Sequence, residues 1–95
     1  MIIYLAGKIT GDNNYKAKFK RYELKYRLQG YTVLNPAILP NSPHVSYDAY
    51  MRMSKAMLKE CDIIVMLPDY KDSKGALQEL EWALLQEKEV IYETR

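Results

Sequence analysis

Four short apolar runs punctuate this chain: Met1–Ala6 (MIIYLA), Tyr31–Leu34 (YTVL), Asp62–Leu67 (DIIVML) and Glu89–Tyr92 (EVIY). Between them lie Tyr15–Leu28, Ser46–Glu60 and Gly75–Gln86, which carry helical periodicity. Runs this short and apolar read as strands buried on both faces, as in the middle of a parallel sheet. Strand and helix alternate throughout, so each strand connects to the next by a right-handed crossover, which leaves few topologies. The expected fold class is α/β: a small flavodoxin- or Rossmann-like three-layer domain. It has four parallel strands in the order 2-1-3-4 and three helices. Residues 1–95 are expected to form one domain, because a chain of this length has no room for two.

Local signals agree with this division. Gly30 follows the first helix as a stop, and Ser46 and Ser73 stand where helix N-caps are needed. Pro36, Pro40 and Pro43 make Asn35–Val45 a loop.

Composition removes several function classes. With 48% hydrophobic and 27% charged residues the chain is globular rather than disordered. A net charge of +2 does not argue for a nucleic-acid partner. Seven of the fourteen Lys and Arg fall between Lys8 and Arg27, and a solvated helix face accounts for them. Cys61 is the sole cysteine, so it forms no internal disulfide and fits a reducing, cytoplasmic compartment. It reads as a small buried hydrophobe. The chain opens directly on a strand, without the basic segment of a secretory signal. No apolar stretch approaches the ~20 residues of a membrane span. No membrane partner, metal or cofactor is expected.

Two helices carry more apolar surface than a sheet can cover. On the first, Tyr15, Phe19, Tyr22 and Tyr26 share one face while Ala17, Leu24 and Leu28 share the opposite one. On the second, Tyr47, Tyr50, Met51, Leu58 and Cys61 form a stripe, and Ala49, Met53 and Ala56 form another. This pattern leads to the expectation of a homo-oligomer. Nine tyrosines against one phenylalanine suit an interface or a ligand pocket, because tyrosine joins apolar area to a polar tip.

In an open α/β sheet, ligands bind beyond the carboxyl ends of the strands where the strand order reverses. Three segments meet there: Gly7–Asn14, Asn35–Val45 and Pro68–Ser73. The first contributes Gly7, Lys8, Ile9 and Gly11 as candidate ligand-binding residues. Its glycines allow close approach to a backbone that leads into a helix N-terminus. Its pattern is neither a P-loop nor a dinucleotide fingerprint. The second segment contributes Asn35 and His44, a lone loop histidine that can cover the ligand but whose position is more often incidental. The third contributes Asp69, Ser73, Gly75 and Glu79. Ser73 starts a helix, where its hydroxyl and the nearby N–H groups can hold a phosphate or a sugar hydroxyl. Gly75, Ala76, Glu79, Leu80 and Ala83 share one helix face. A carboxylate among small residues near a helix N-terminus is favoured as the ion and can attack an electrophilic carbon such as C1′ of a ribosyl group. Periodicity alone leaves open that Glu79 points to solvent beside Glu81.

The pattern Ser73-x-Gly75-x-x-x-Glu79-x-x-x-Ala83, between an Asp-Ile-Ile-Val and a Glu-Val-Ile-Tyr strand, resembles the nucleoside 2-deoxyribosyltransferase superfamily. That superfamily includes the deoxynucleoside monophosphate N-glycosidases. The opening Tyr4-Leu-Ala-Gly-Lys-Ile-Thr-Gly11 resembles its first strand and loop. The resemblance covers nearly the whole chain and is nearest to short bacterial and phage members. It implies a nucleoside or nucleotide as the small-molecule partner. It also implies Glu79 as the catalytic nucleophile, Ser73 at a 5′-phosphate and Gly7–Gly11 lining the pocket.

One departure bears on activity. The hydrolases of that superfamily carry an acidic residue eight positions before the aspartate that opens the third strand, and this chain has Ser54 there. General acid help is worth about 10²–10⁴ in rate. Asp48 lies too far along its helix and Asp62 at the wrong sheet edge, which leaves Asp69 and Asp72. Two classes follow. One is a nucleotide-binding protein without efficient turnover, such as a phage sponge for a defence signal, which Ser54 favours. The other is an N-glycosidase or deoxyribosyltransferase acting through Glu79.

Overall fold

The computed structural model describes residues 1–94. Along the chain come β1 (Ile2–Ala6), α1 (Tyr15–Arg27), β2 (Thr32–Leu34), α2 (Tyr47–Lys59), β3 (Ile63–Met66), α3 (Lys74–Leu85) and β4 (Glu89–Tyr92). Single 3₁₀ turns at Pro36–Ile38 and Tyr70–Asp72 interrupt stretches that the sequence presents as open loop. All pairings are parallel and the sheet order is β2-β1-β3-β4, as expected.

The register sets Ile3 beside Ile63, Tyr4 beside Ile64 and Leu5 beside Val65. Period-two alternation then divides the core. Ile3, Leu5, Ile63 and Val65 pack with Phe19 and Tyr26 of α1 on one face. Tyr4, Ala6, Ile64 and Met66 pack with Leu58 of α2 and with Ala76 and Ala83 of α3 on the other. Cys61 belongs to this second core, and burial pushes its thiol up to about 12.

Caps set the helix boundaries. Ser46 Oγ accepts the Ala49 N–H at 3.0 Å, and Ser73 Oγ accepts the Ala76 N–H at 3.1 Å. At the end of α1, the Gly30 N–H bonds the Arg27 carbonyl and the Tyr31 N–H bonds the Tyr26 carbonyl. This is a Schellman closure, and Gly30 supplies its left-handed residue with φ of 94°. α3 closes with the same pair of bonds, from Glu87 to Leu84 and from Lys88 to Ala83. There the left-handed residue is Glu87, with φ of 57°.

The second apolar stripes are largely on the surface. Leu28 of α1 is 88% exposed, and Leu24 of α1 and Met53 of α2 are also exposed. α1 covers one face of the sheet and α2 the other, so these two surfaces face away from each other.

Two substitutions test this backbone reading. A Cβ at Gly7 would stand 2.9 Å from Leu67 Cβ, an atom fixed to its backbone. Gly7→Ala is therefore expected to cost about 1–3 kcal/mol through overpacking. Glu87→Gly removes the left-handed penalty and is expected to stabilise by about 1 kcal/mol. Urea midpoints of the two variants should move in opposite directions.

Candidate functional site

β1 and β3 are neighbours in the sheet, yet β1 connects to β2 on its other side. Their carboxyl ends therefore open the crevice where the chain reverses direction across the sheet. A cavity of about 490 Å³ lies at this edge. All three expected segments contribute to it: Ile9 and Thr10, Pro40 and Ser42, and Asp72 and Ser73.

Tyr4 and Glu79 belong to both the core and the lining of this cavity. Glu79 stands one turn into α3 on the face that carries Ala76 and Ala83, and it is 6% exposed. Glu81 beside it is exposed, so the open question of the helix face is resolved with Glu79 inward. The Tyr4 hydroxyl donates to the Glu79 carboxylate. At the start of α3, Ser73 takes the Ala76 N–H, which leaves those of Lys74 and Gly75 without an intrahelical partner. Both residues line the cavity.

The candidate residues separate into two groups. Gly7, Ile9, Ser73, Gly75 and Glu79 line the cavity. Lys8, Gly11, Asn35, His44 and Asp69 stand outside its lining and have other surroundings. Asn35 is buried, where its Oδ1 accepts the Ala37 N–H at 2.9 Å and its Nδ2 donates to Glu23 at 3.1 Å. Asp69 accepts the Lys8 N–H at 3.1 Å and also takes the Lys18 ammonium. Gly11 is exposed in a turn with φ of 84°. His44 is exposed in a tight turn, where its N–H donates to Ser42 Oγ at 3.1 Å. Of the two aspartates left as acid candidates, Asp72 is the one that lines the cavity. Ser54 is fully buried and donates to the Met51 carbonyl at 3.1 Å, close to the Tyr4–Glu79 pair.

A family model matches residues 1–92. The chain belongs to the DUF4406 family, described as a domain of unknown function. No curated protein matches it by sequence. Among solved structures, the domain is similar to a 2-deoxyribosyltransferase from the psychrotolerant bacterium Bacillus psychrosaccharolyticus. The TM-score is 0.77 at 24% identity, over 97% of this chain and 71% of that one. The likeness establishes a related fold for the DUF4406 domain.

Other residues at the site were not evident from sequence. Tyr15, Tyr47 and Tyr50 line the cavity with Phe19. The Tyr50 hydroxyl donates to the Pro36 carbonyl at 2.9 Å and so ties α2 to the proline-rich segment. Tyr4 had a usable signal. A tyrosine in the middle of a fully apolar central strand needs a partner for its hydroxyl. Among the described residues no group of three His, Cys, Asp or Glu stands close enough to hold a metal ion. Among the described residues no helix is long and apolar enough to cross a membrane.

The electrostatics of the floor differ from the expectation for Glu79. The helix N-terminus favours its ion, but burial outweighs that and pushes the carboxyl up to about 7. The hydrogen bond from Tyr4, then the proximity of Ser54, act in the opposite direction. Tyr4 is itself raised well above its ordinary value by burial, then by Glu79, so it remains a donor.

The sign of the linkage follows. Between 4.5 and about 7 the folded DUF4406 domain holds a proton on Glu79 that the unfolded chain has lost. Stability therefore falls as pH rises through this window, by on the order of 3 kcal/mol. Glu79→Gln is expected to remove that slope, stabilising the fold at pH 8 and changing it little at pH 4. Tyr4→Phe removes the donor to the ion, so its destabilisation should be larger at pH 8 than at pH 4. Denaturant melts of the three proteins across pH check both outcomes, and parallel profiles would contradict them.

Proposed function

We propose that this domain binds a nucleoside or nucleoside monophosphate in the cavity and cleaves its N-glycosidic bond through Glu79. The observation that carries the reading is a carboxyl buried at a cavity floor, held by a tyrosine hydroxyl, at a cost in stability above neutral pH. Perturbed carboxyls of this kind concentrate at functional sites. The related fold of the 2-deoxyribosyltransferase supports a nucleoside-class ligand.

In the proposed reaction the Glu79 carboxylate attacks C1′ and the bond from C1′ to the base nitrogen breaks. The base leaves with the electron pair and takes a proton from solvent. Water then releases the sugar, or a second base accepts it, and the carboxylate returns. Ser73 and the N–H groups of Lys74 and Gly75 offer donors for a 5′-phosphate or a sugar hydroxyl. Among the described residues, Lys74 is the cation and Asp72 and Glu79 the carboxylates that line the cavity, which favours at most one phosphate on the ligand.

Ser54 favours a second reading, in which the ligand is bound without turnover, as by a viral sponge for a defence signal. No acid stands at that place to protonate the base. The exposed Leu24, Leu28 and Met53 further support self-association of the domain.

Chromatography of free base after incubation with a panel of nucleosides and their monophosphates separates the two readings. The glycosidase reading expects base release by the wild type, rising with pH through about 7 as Glu79 ionises. Glu79→Gln should abolish that release and leave binding nearly intact, because the neutral amide keeps the shape but is a poor nucleophile. A ligand recovered intact, with Glu79→Gln weakening its binding by about 1.5–3 kcal/mol, supports binding alone. No binding to any member of the panel would overturn both. Light scattering checks self-association, and a monomer at micromolar concentration would refute it.

A further inference from the structure

Lys18 projects from α1 towards two of the loops that form the cavity, and its side chain is 14% exposed. Its ammonium donates to Asp12 Oδ2 at 2.7 Å, to the Lys8 carbonyl at 2.7 Å and to the Asp69 carboxylate. Those bonds occupy all the donors an ammonium has. The second carboxylate oxygens are also engaged. Asp69 Oδ1 accepts the Lys8 N–H at 3.1 Å, and Asp12 Oδ1 accepts the Asn14 N–H at 2.9 Å.

This cluster joins the loop after β1 to the loop after β3. Among the described residues no backbone hydrogen bond links 7–14 to 68–73. Lys8 and Asp12 bracket Ile9 and Thr10, both of which line the cavity. Asp69 starts the turn that delivers Asp72 and Ser73, through bonds from Asp72 N–H to the Asp69 carbonyl at 3.0 Å and from Ser73 N–H to the Tyr70 carbonyl at 3.1 Å. The geometry points to Lys18 as a positioning residue that fixes the spacing of the two cavity-lining loops, with Asp12 and Asp69 as its anchors. This inference rests on the ligand site proposed above and touches none of its reacting groups. It also assigns Asp69 a structural partner instead of a proton to transfer.

The charges give the clamp its sense. Both carboxylates are partly withdrawn from solvent, at 25% exposure for Asp12 and 17% for Asp69. Without the ammonium, two negative groups share one crevice with no cation between them, and separating the loops relieves the repulsion. Methionine at position 18 keeps most of the apolar stem and deletes the ammonium with its three hydrogen bonds.

Hydrogen exchange and ligand binding on the full chain test the clamp. Lys18→Met is expected to speed exchange of amides in 8–12 and 69–73 about tenfold, with those of β1 and β3 unchanged. Affinity for whichever nucleoside or monophosphate the wild type binds should fall about tenfold. Lys18→Arg should preserve both, because guanidinium also spans two carboxylates. Lys18→Met with Asp69→Asn should recover part of the loss by removing the repulsion. Unchanged loop exchange, or equal acceleration in β1 and β3, would overturn the clamp. Tight loops with failure of the wild type to bind any of the panel would overturn the ligand reading and leave the clamp standing.

Discussion

The parallel pairing of β1 with β3 is the constraint on which the rest of this molecule depends. It brings the carboxyl ends of two strands distant in sequence to one edge, so the loops after them must share a crevice. It also fixes a register in which Tyr4 stands beside Ile64 and faces α2 and α3. A slip by one residue would send Tyr4 to the face of α1 and leave the Glu79 carboxyl without its donor. The sheet thus determines both where the cavity lies and what its floor is made of. The helices respond to that arrangement. α3 presents Ala76 and Ala83 to the sheet with Leu80 packed beside them, and the buried Glu79 shares that face.

Small domains have little stability to spare. A buried carboxyl with one tyrosine donor is a burden on such a fold, because desolvation disfavours its charged form more than the hydrogen bond restores. A leucine or methionine on that face of α3 would pack without this cost. The burden is compounded by Glu87, which closes α3 in a conformation that glycine adopts freely. These two local costs differ in kind. The strain at Glu87 lies at the opposite end of α3 from the cavity and has no counterpart in the site. The cost at Glu79 is inseparable from the cavity floor.

Much of this was legible in the sequence, for identifiable reasons. Strands buried on both faces show as unbroken apolar runs, so β1 and β3 were plain, and their crossovers limited the topology. Ser46 and Ser73 cap helices through contacts three residues away, which local pattern captures. Residues whose role depends on distant partners were not legible. Asn35 and Asp69 lie in the expected loops, but their side chains turn to Glu23 and Lys18, pairings that exist only once α1 has docked. Tyr4 and Glu79 are 75 positions apart and meet only through the sheet register. The tyrosine-rich composition gave a hint of the cavity wall, yet periodicity could not say which rings would line it.

The division between a dry floor and a wet rim bears on how the proposed chemistry would be shared. Groups at the rim, such as Lys74 and Asp72, are exposed, so their charges act through solvent and in the proposed reaction would contribute mainly to capture and orientation of a ligand. A carboxylate at the buried floor acts across a lower dielectric, where its interaction with positive charge developing at C1′ is stronger. Burial also raises its basicity, which favours attack, while reducing the fraction ionised, which opposes it. These effects balance best when the carboxyl titrates near the working pH, and Glu79 titrates at about 7. Tyr4 adjusts that balance from below. Its hydrogen bond stabilises the ion and holds the carboxylate still, and both contributions are lost if its ring is turned away. In the proposed reaction the pair would therefore work as one unit, with the sheet supplying the donor and α3 the nucleophile.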